Sequence, residues 1–162
     1  MDMTHPTWTY QGRIFNNITD FPEDTYGFIY EVTHKPTGQK YIGKKVLFFE
    51  RNKRLGVKAL EALREERKAQ GLGGRTPLKQ KVITESDWKT YYGSHPSIIK
   101  LVKESTDLRQ DFDKKILDFV PNKKLLTYFE CKHLFINEVL ENRSNYINDN
   151  ILGKFYRKDF DL

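Results

Sequence analysis

The chain has 162 residues, of which 38% are hydrophobic and 31% charged, and its formal net charge at pH 7 is +6. This length suits one domain around one hydrophobic core, and the composition excludes a membrane protein because no apolar stretch approaches the roughly 20 residues that a spanning helix requires. The first ten residues lack a basic or apolar leader and the chain has one cysteine, so the sequence predicts a cytoplasmic protein without a secretory signal.

The first predicted elements are an N-terminal arm and a β-hairpin. Residues 1–26 mix aromatic side chains with Asn, Thr and Pro and show no helical period, so we predict an arm that packs on a single domain over residues 27–162. The stretches GFIYEVT at 27–33 and KYIGKKV at 40–46 are rich in aromatic and β-branched residues, and a Pro- and Gly-containing turn separates them. This pattern predicts a hairpin.

The middle of the chain is strongly basic. Residues 53–70 are rich in Leu, Ala, Glu, Lys and Arg without proline, which predicts a helix, and residues 71–81 predict a basic loop. Residues 40–81 carry 13 basic and 4 acidic residues, a net charge of +9, whereas residues 82–162 are neutral overall. The local excess favours a polyanionic partner. A solvated helix face with glutamate partners explains the charge equally well.

The second half predicts a short helix, a strand and a longer helix. Ser94 or Ser97 is a candidate cap for a helix over residues 96–104, and FDKKILDFV at 112–120 predicts a third strand. Asn122 is a candidate cap for the last helix, in which apolar residues recur every three or four positions and form a stripe toward the core: Leu126, Phe129, His133, Ile136 and Leu140. The element order indicates an α/β (α+β) domain with a small three-stranded, mostly antiparallel sheet flanked by helices.

The hairpin also carries side chains that could take part in catalysis. Because alternate residues of a strand share a face, Tyr30, Tyr41 and Lys45 lie together if the hairpin isoleucines point into the core, and Gly43 leaves room between them. Two phenols and an ammonium beside an open patch would lower a tyrosine pKa from about 10 and allow it to act as a base. The alternative from these residues alone is a cross-strand tyrosine pair that only stabilises the hairpin.

These residues belong to a longer pattern. The text FIY…YIG, with ten residues between Tyr30 and Tyr41, resembles the signature of the GIY-YIG nucleases, with Phe28 in place of the first glycine. Arg51 follows Tyr41 by ten residues, where the family has its catalytic arginine at the start of the first helix. The segment ESDWKTYYGSH is similar to one in phage-encoded members, and Glu130 follows the third strand as the family's metal-binding glutamate does. The resemblance covers nearly the whole chain.

The resemblance implies a metal-dependent DNA endonuclease that nicks or cuts duplex DNA, of the phage freestanding homing or genome-competition type. Glu130 would hold one Mg²⁺ or Mn²⁺ ion, and Arg51 would stabilise the charge of the transition state. By family analogy Tyr30 would take the proton from the attacking water and Tyr41 would orient water and phosphate. Lys45 would favour the tyrosinate or bind phosphate directly.

Several assignments have alternatives. Arg54 or Arg75 replaces Arg51 as the catalytic arginine if the helix starts later. The family's asparagine after the metal helix is Asn145 by spacing or Asn148 by its local YxN text, and we prefer Asn148. A non-catalytic nucleic-acid-binding protein on the same scaffold is the alternative function, an RNA-processing enzyme is a third, and both a monomer and a homodimer are open.

DNA contacts are expected from the same domain. The basic segment would supply phosphate contacts, which position DNA without reading its sequence, through Arg54, Arg64, Arg67, Arg75, Lys79 and Lys81. Trp88, Tyr91 and Tyr92 would flank the cleavage site and stack on bases. A packed aromatic turn explains the same three residues equally well.

Overall fold

The computed structural model describes residues 4–161, and in this range no helix is long and apolar enough to cross a membrane. In chain order, the strands are β1 Trp8–Tyr10, β2 Arg13–Phe15, β3 Gly27–His34, β4 Gln39–Val46, β5 Phe48–Arg54, β6 Lys79–Glu85, β7 Phe112–Val120, β8 Asn150–Ile151 and β9 Phe155–Tyr156. The α-helices are α1 Val57–Ala69, α2 Pro96–Glu104, α3 Leu108–Asp111 and α4 Lys123–Ile136. The chain forms two units: one combines the chain up to Leu47 with the chain from Asp87 onward, and the other is Phe48–Ser86.

The first unit contains a five-stranded sheet in the order β2-β1-β7-β3-β4. Strand β3 is antiparallel to both its neighbours, and β1 is parallel to β7. The predicted fold class is confirmed. The three predicted strands, β7, β3 and β4, are adjacent in the sheet, and β4 is its edge strand. The two additional strands lie in the predicted N-terminal arm and have three residues each. Strands this short carry too few residues for a period of two to be visible in the sequence.

The two faces of this sheet have separate hydrophobic cores. One is mainly aromatic, includes Ile98 of α2, and contains Trp8, Phe15, Phe21, Phe28, Tyr30, Val32, Trp88, Tyr92 and Phe112. The other includes Ile29 and Ile42 and is covered by α4, which contacts β3, β4 and β7. The hairpin isoleucines therefore point into a core as predicted, but the opposite face of the hairpin is covered as well.

The helices of the first unit begin where the sequence indicates, with one different cap. Helix α2 is capped by His95, whose Nδ1 accepts a hydrogen bond from the Ser97 N–H at 3.0 Å, and not by either predicted serine. Asn122 caps α4 as predicted, because its side-chain oxygen accepts from the Leu125 N–H at 2.9 Å. The predicted apolar stripe of α4 is only partly buried, since Ile136 ends the helix and is 67% exposed.

The second unit is an antiparallel pair of strands, β5 and β6, with α1 between them in the chain. Every residue of β5 is exposed, and α1 has no buried residue. The predicted helix over 53–70 begins later, at Val57, and the predicted basic loop gives way to β6 at Lys79. Arg51 and Arg54 therefore lie on a strand and not at the start of a helix. The sequence pattern missed this strand because Glu, Arg, Asn and Lys are poor strand formers.

A buried lysine gives the first unit a distinctive pH dependence. Lys114 on β7 is 2% exposed, its ammonium donates to the Lys89 carbonyl oxygen at 2.9 Å, and it lies 4.3 and 4.6 Å from the ring centroids of Trp8 and Tyr92. Burial lowers the pKa of Lys114 from 10.5 to about 7. The native state therefore disfavours the charged form, which the unfolded chain keeps up to about pH 10.

We expect Lys114→Met to flatten the pH dependence of stability. Between these two pKa values the unfolded chain binds more protons, so wild-type stability rises with pH by at most about 1.4 kcal/mol per unit. Below about pH 7 the wild-type native state keeps Lys114 both buried and charged, and the whole unfavourable free energy of burying that charge is present. The variant should therefore be more stable than wild type below pH 7. Urea denaturation from pH 6 to 10 measures the difference, with the exposed Lys115→Met as control. A difference between Lys114→Met and wild type that does not change with pH would contradict the prediction.

Candidate active site

Two tyrosines of the hairpin meet at a glycine. Strand pairing sets Tyr30 opposite Gly43 and Val32 opposite Tyr41, and the Tyr30 and Tyr41 ring centroids are 6.3 Å apart. A Cβ atom on Gly43 would lie 2.6 Å from Tyr30 Cζ and 3.1 Å from Tyr41 Cε1. The prediction that Gly43 leaves room for both phenols is confirmed, and any larger residue would force the rings apart.

Burial raises the pKa values of these two phenols, whereas the sequence predicted a lowered tyrosine pKa. Tyr30 is 1% exposed, with the Trp8 ring centroid 5.3 Å away, and burial raises its pKa well above the usual value, with Tyr41 and Tyr91 adding to the effect. Burial raises the pKa of Tyr41 to about 12, against a hydrogen bond with Ser94 that lowers it. The expected lowering of a tyrosine pKa is therefore wrong. The face that the sequence suggested was open is covered by Trp8 and Tyr91, which come from other parts of the chain.

Lys45 is buried on the same face and has its own partners. Its ammonium lies 2.5 Å from Asp87 Oδ1 and 3.8 Å above the Tyr91 ring centroid. The predicted juxtaposition of Lys45 with the two tyrosines is present in the strand register, but the predicted open patch is absent. The ion pair and the cation–π contact instead tie β4 to the turn that follows Asp87.

Glu130 lies on α4, at the edge of the sheet. Its Oε1 is 3.8 Å from the Lys44 ammonium, which also donates to Thr127 Oγ1 at 3.0 Å, and its carboxylate accepts a hydrogen bond from the Lys44 backbone. Burial raises the pKa of Glu130, against the opposing effect of Lys44. Glu130 is a half-buried carboxylate with one neighbouring cation, close to the edge strand β4.

One cleft brings the second tyrosine and the glutamate together. It has a volume of about 470 Å³ and is lined by Tyr41, Ile42, Lys44, Ser94, His95, Pro96, Glu130, Leu134, Asn148, Asp149, Asn150, Leu152 and Gly153. Tyr41 and Lys44 belong to opposite faces of β4, and both reach this cleft because β4 is the last strand of the sheet. Tyr30 and Lys45 do not line it.

Asn148 also lines the cleft, and both the oxygen and the nitrogen of its amide are hydrogen bonded. Its side-chain oxygen accepts from the Ile42 N–H at 3.0 Å, and its nitrogen donates to the Ile42 carbonyl oxygen at 2.8 Å. The competing candidate, Asn145, is exposed and contributes its backbone carbonyl, which accepts from the Lys40 N–H at 2.8 Å. Asn148 therefore extends the pairing of the edge strand through its side chain.

Removing this amide should destabilise the native state. Asn148→Ala leaves the buried N–H and carbonyl of Ile42 without their partner, which should lower the free energy of unfolding by about 2 kcal/mol. Asn145→Ala keeps its backbone hydrogen bond and should change stability by less than about 0.5 kcal/mol. Urea denaturation of both variants tests the difference. Equal stabilities would show that the Ile42 contact contributes nothing.

His95 and Asp149 form a pair that the sequence did not reveal. His95 Nε2 lies 3.2 Å from Asp149 Oδ2, while Nδ1 accepts the Ser97 N–H, so the neutral ring donates to the carboxylate through Nε2. Partial burial opposes ionisation, but hydrogen bonds from Asn150 and His95 lower the pKa of Asp149. With both nitrogens engaged, His95 positions the cleft wall and the Tyr41 ring, whose centroid is 6.0 Å away. These residues are 54 positions apart, so only the fold brings them together.

Of the three aromatic residues predicted to contact DNA, Trp88 and Tyr92 lie in the core and Tyr91 packs against it, partly buried. Trp88 is fully buried and Tyr92 nearly so. The Trp88 carbonyl accepts from Trp8 Nε1 at 2.6 Å, and the Tyr92 hydroxyl is 2.9 Å from His5 Nδ1. The prediction that Trp88 and Tyr92 stack on bases is wrong, because neither ring is accessible. The alternative, a packed aromatic turn, is what the structure contains.

The predicted basic contacts all belong to the second unit. Four are exposed, namely Arg54, Arg64, Arg75 and Lys79, and Arg54 lies opposite Lys79 in the β5–β6 pair. Lys81 pairs with Glu50 at 3.0 Å, and Arg67 donates to the Gly73 carbonyl at 3.4 Å. Arg51 is exposed on β5. The tyrosines, Lys45, Glu130 and Asn148 belong to the first unit.

Comparison with known proteins decides the family. A family model described as "Putative endonuclease segE, GIY-YIG domain" matches residues 8–151. The chain belongs to the GIY-YIG family. The matched range begins at β1, so the two short N-terminal strands are part of the GIY-YIG domain, and it includes the tyrosines, Glu130 and Asn148. No curated protein and no solved structure gives a significant match. The predicted family is confirmed, and the chain carries an endonuclease domain.

Proposed function

We propose that this GIY-YIG protein is a metal-dependent DNA endonuclease that hydrolyses phosphodiester bonds in the cleft between Tyr41 and Glu130. The observation that supports this proposal is the half-buried Glu130 carboxylate in the same cleft as the second motif tyrosine. A carboxylate repels phosphate, so a protein that only bound nucleic acid would gain nothing from one at this position. A bound cation reverses that repulsion.

The donor set at Glu130 suits one hard cation. Within residues 4–161, no group of three or more His, Cys, Asp and Glu side chains could form a complete cage. Mg²⁺ keeps several waters and binds through one or two carboxylates together with substrate phosphates, and Mn²⁺ accepts similar oxygen ligands. Glu130 would hold such an ion, which would supply positive charge to the phosphate and to the leaving oxygen.

The positions of the two tyrosines suggest different roles for them. Tyr41 lines the cleft, and its raised pKa of about 12 keeps its hydroxyl protonated near neutral pH, so it would orient the phosphate or the attacking water by hydrogen bonding. Tyr30 packs behind Gly43 and fixes the Tyr41 ring. We therefore assign contact with the substrate to Tyr41 and a positioning role to Tyr30. This assignment differs from the expectation that Tyr30 takes the proton.

Conversion of supercoiled plasmid tests the function. Purified protein should produce open-circular or linear DNA with Mg²⁺ and neither form with EDTA, and Glu130→Ala should be inactive with either. The ratio of nicked to linear product reports whether one or both strands are cut. Cleavage that persists in EDTA would contradict the metal requirement. Salt-sensitive DNA binding without cleavage of plasmid or phage genomic DNA would favour the non-catalytic alternative.

We propose Arg51 as the catalytic guanidinium, with Arg54 and Arg75 as its rivals. Single-turnover plasmid cleavage should fall about 100-fold in Arg51→Ala. In Arg54→Ala and Arg75→Ala the main effect should be weaker DNA binding. The slope of the logarithm of the binding constant against the logarithm of the salt concentration should be less steep by about one. If one of these two variants loses cleavage while Arg51→Ala keeps it, the catalytic role belongs to the arginine replaced in that variant.

The family resemblance also supports a biological proposal. A freestanding homing nuclease or a nuclease directed against competing phage genomes would both use this chemistry. In both cases the exposed arginines and lysines of the second unit would supply phosphate contacts that carry no sequence information.

A further inference from the structure

A strained leucine stands at the rim of the active-site cleft. Strands β8 and β9 form a small hairpin whose turn contains Leu152, Gly153 and Lys154. Leu152 has φ +56°, a left-handed conformation that is unfavourable for a residue with a Cβ. Its side chain is 56% exposed. Leu152 and Gly153 line the same cleft as Tyr41 and Glu130.

The turn that carries Leu152 is held by several hydrogen bonds. The Gly153 N–H donates to Asn150 Oδ1 at 3.0 Å, the Lys154 N–H donates to the Ile151 carbonyl at 3.0 Å, and the Tyr156 hydroxyl donates to the Gly153 carbonyl at 3.1 Å. Ile151 is buried and anchors the hairpin in the core. The structure thus holds a large apolar side chain outward, at a position where Gly or Asn would relieve the backbone strain.

We propose that Leu152 is a DNA wedge that inserts at a base step beside the cleavage site and unstacks it. The proposal rests on the proposed function, because the phosphate would have to approach Tyr41 and Glu130. An apolar side chain on the wall of that cleft gains nothing from phosphate, whereas apolar wedges such as Leu enter between base pairs and kink duplex DNA. Lys154, two residues further along the turn, adds a cation beside the wedge.

A wedge makes binding depend on how easily the DNA unstacks. Separating a paired base step is unfavourable, and a mismatch removes part of that unfavourable free energy before the protein binds. Wild-type protein should therefore bind a duplex of about 30 base pairs with a central two-base mismatch about tenfold more tightly than the fully paired duplex. Without the wedge, the two duplexes should bind almost equally.

Fluorescence anisotropy in EDTA tests the wedge without cleavage. Leu152→Asn keeps the left-handed turn unstrained and should reduce the mismatch preference to less than about twofold. Leu152→Met retains an apolar side chain and should keep the preference. Leu72→Asn changes an exposed leucine of the second unit and should also keep it. Thermal unfolding of each variant checks that the fold is intact.

The wedge is overturned if wild-type protein shows no mismatch preference, or if Leu152→Asn retains it. It is equally overturned if Leu152→Met loses the preference as completely as the Asn variant does. Failure of the wedge is separable from failure of the nuclease. If the protein cuts plasmid with Mg²⁺ but binds both duplexes equally, only the wedge proposal is refuted. If it prefers the mismatched duplex but never cuts DNA, only the proposed catalysis is refuted.

Discussion

Glu130→Gln is expected to reduce plasmid cleavage by about 1000-fold or more while DNA affinity is kept or improved. Glutamine has nearly the same shape, but its neutral amide is a poor ligand for a hard cation, so the charge that the ion supplies to the reacting phosphate is lost. The change also removes a negative charge from the cleft and leaves the Lys44 ammonium, 3.8 Å away in wild type, available to the phosphate. Single-turnover cleavage with Mg²⁺ and binding in EDTA measure the two effects separately.

Glu141→Gln is the matched control, since Glu141 is exposed and does not line the cleft. It should cleave and bind as wild type does. Parallel losses of cleavage and affinity in Glu130→Gln would indicate that the residue organises the DNA site in general. Wild-type cleavage by Glu130→Gln would refute its role as metal ligand.

Gly43→Ala should strongly destabilise the hairpin. The new Cβ would lie 2.6 Å from Tyr30 Cζ, and Tyr30 is fixed by its own burial, so the rings and strands must shift. Overpacking of this kind costs about 1–3 kcal/mol. The displaced Tyr41 ring should also reduce cleavage by about 100-fold, because small errors in the placement of groups around the substrate are costly. Urea denaturation and single-turnover cleavage provide the two measurements.

Two comparisons show whether the clash is the cause. Gly56 has open space around its Cβ position and an ordinary φ of −68°, so Gly56→Ala should cost about 0.5 kcal/mol, as expected at a helix cap. Adding Tyr30→Phe to Gly43→Ala removes the hydroxyl that faces the new methyl group and should restore part of the lost stability. Strictly additive effects of Gly43→Ala and Tyr30→Phe would argue against a contact between these two positions.

The sequence was most informative where the hydrophobic pattern is long. Strand β7 and helix α2 have the predicted bounds, and β3 and β4 differ from prediction by one residue at one end each. Strands β1 and β2 are too short to show a period, and β5 and β6 contain no buried residue, so no buried face marked them in the sequence.

The arrangement of the hairpin residues was predictable, but their electrostatics were not. Alternation along the hairpin correctly set Tyr30, Gly43 and Tyr41 on one face. The direction of the tyrosine pKa shifts depends on Trp8 and Tyr91, which cover that face from distant parts of the chain. The sequence of the hairpin itself does not show which distant residues will bury one of its faces. The pairing of His95 with Asp149 and the strained turn at Leu152 are equally products of the folded chain.

The support that Asn148 gives to Ile42 has a consequence for the order in which the cleft is assembled. These residues are 106 positions apart, and Glu130 also lies in the last fifth of the chain. During synthesis the hairpin therefore leaves the ribosome long before the segment that closes its outer edge and completes the cleft. The cleft is complete only when the segment that carries Glu130 and residues 148–153 has emerged and docked on the hairpin.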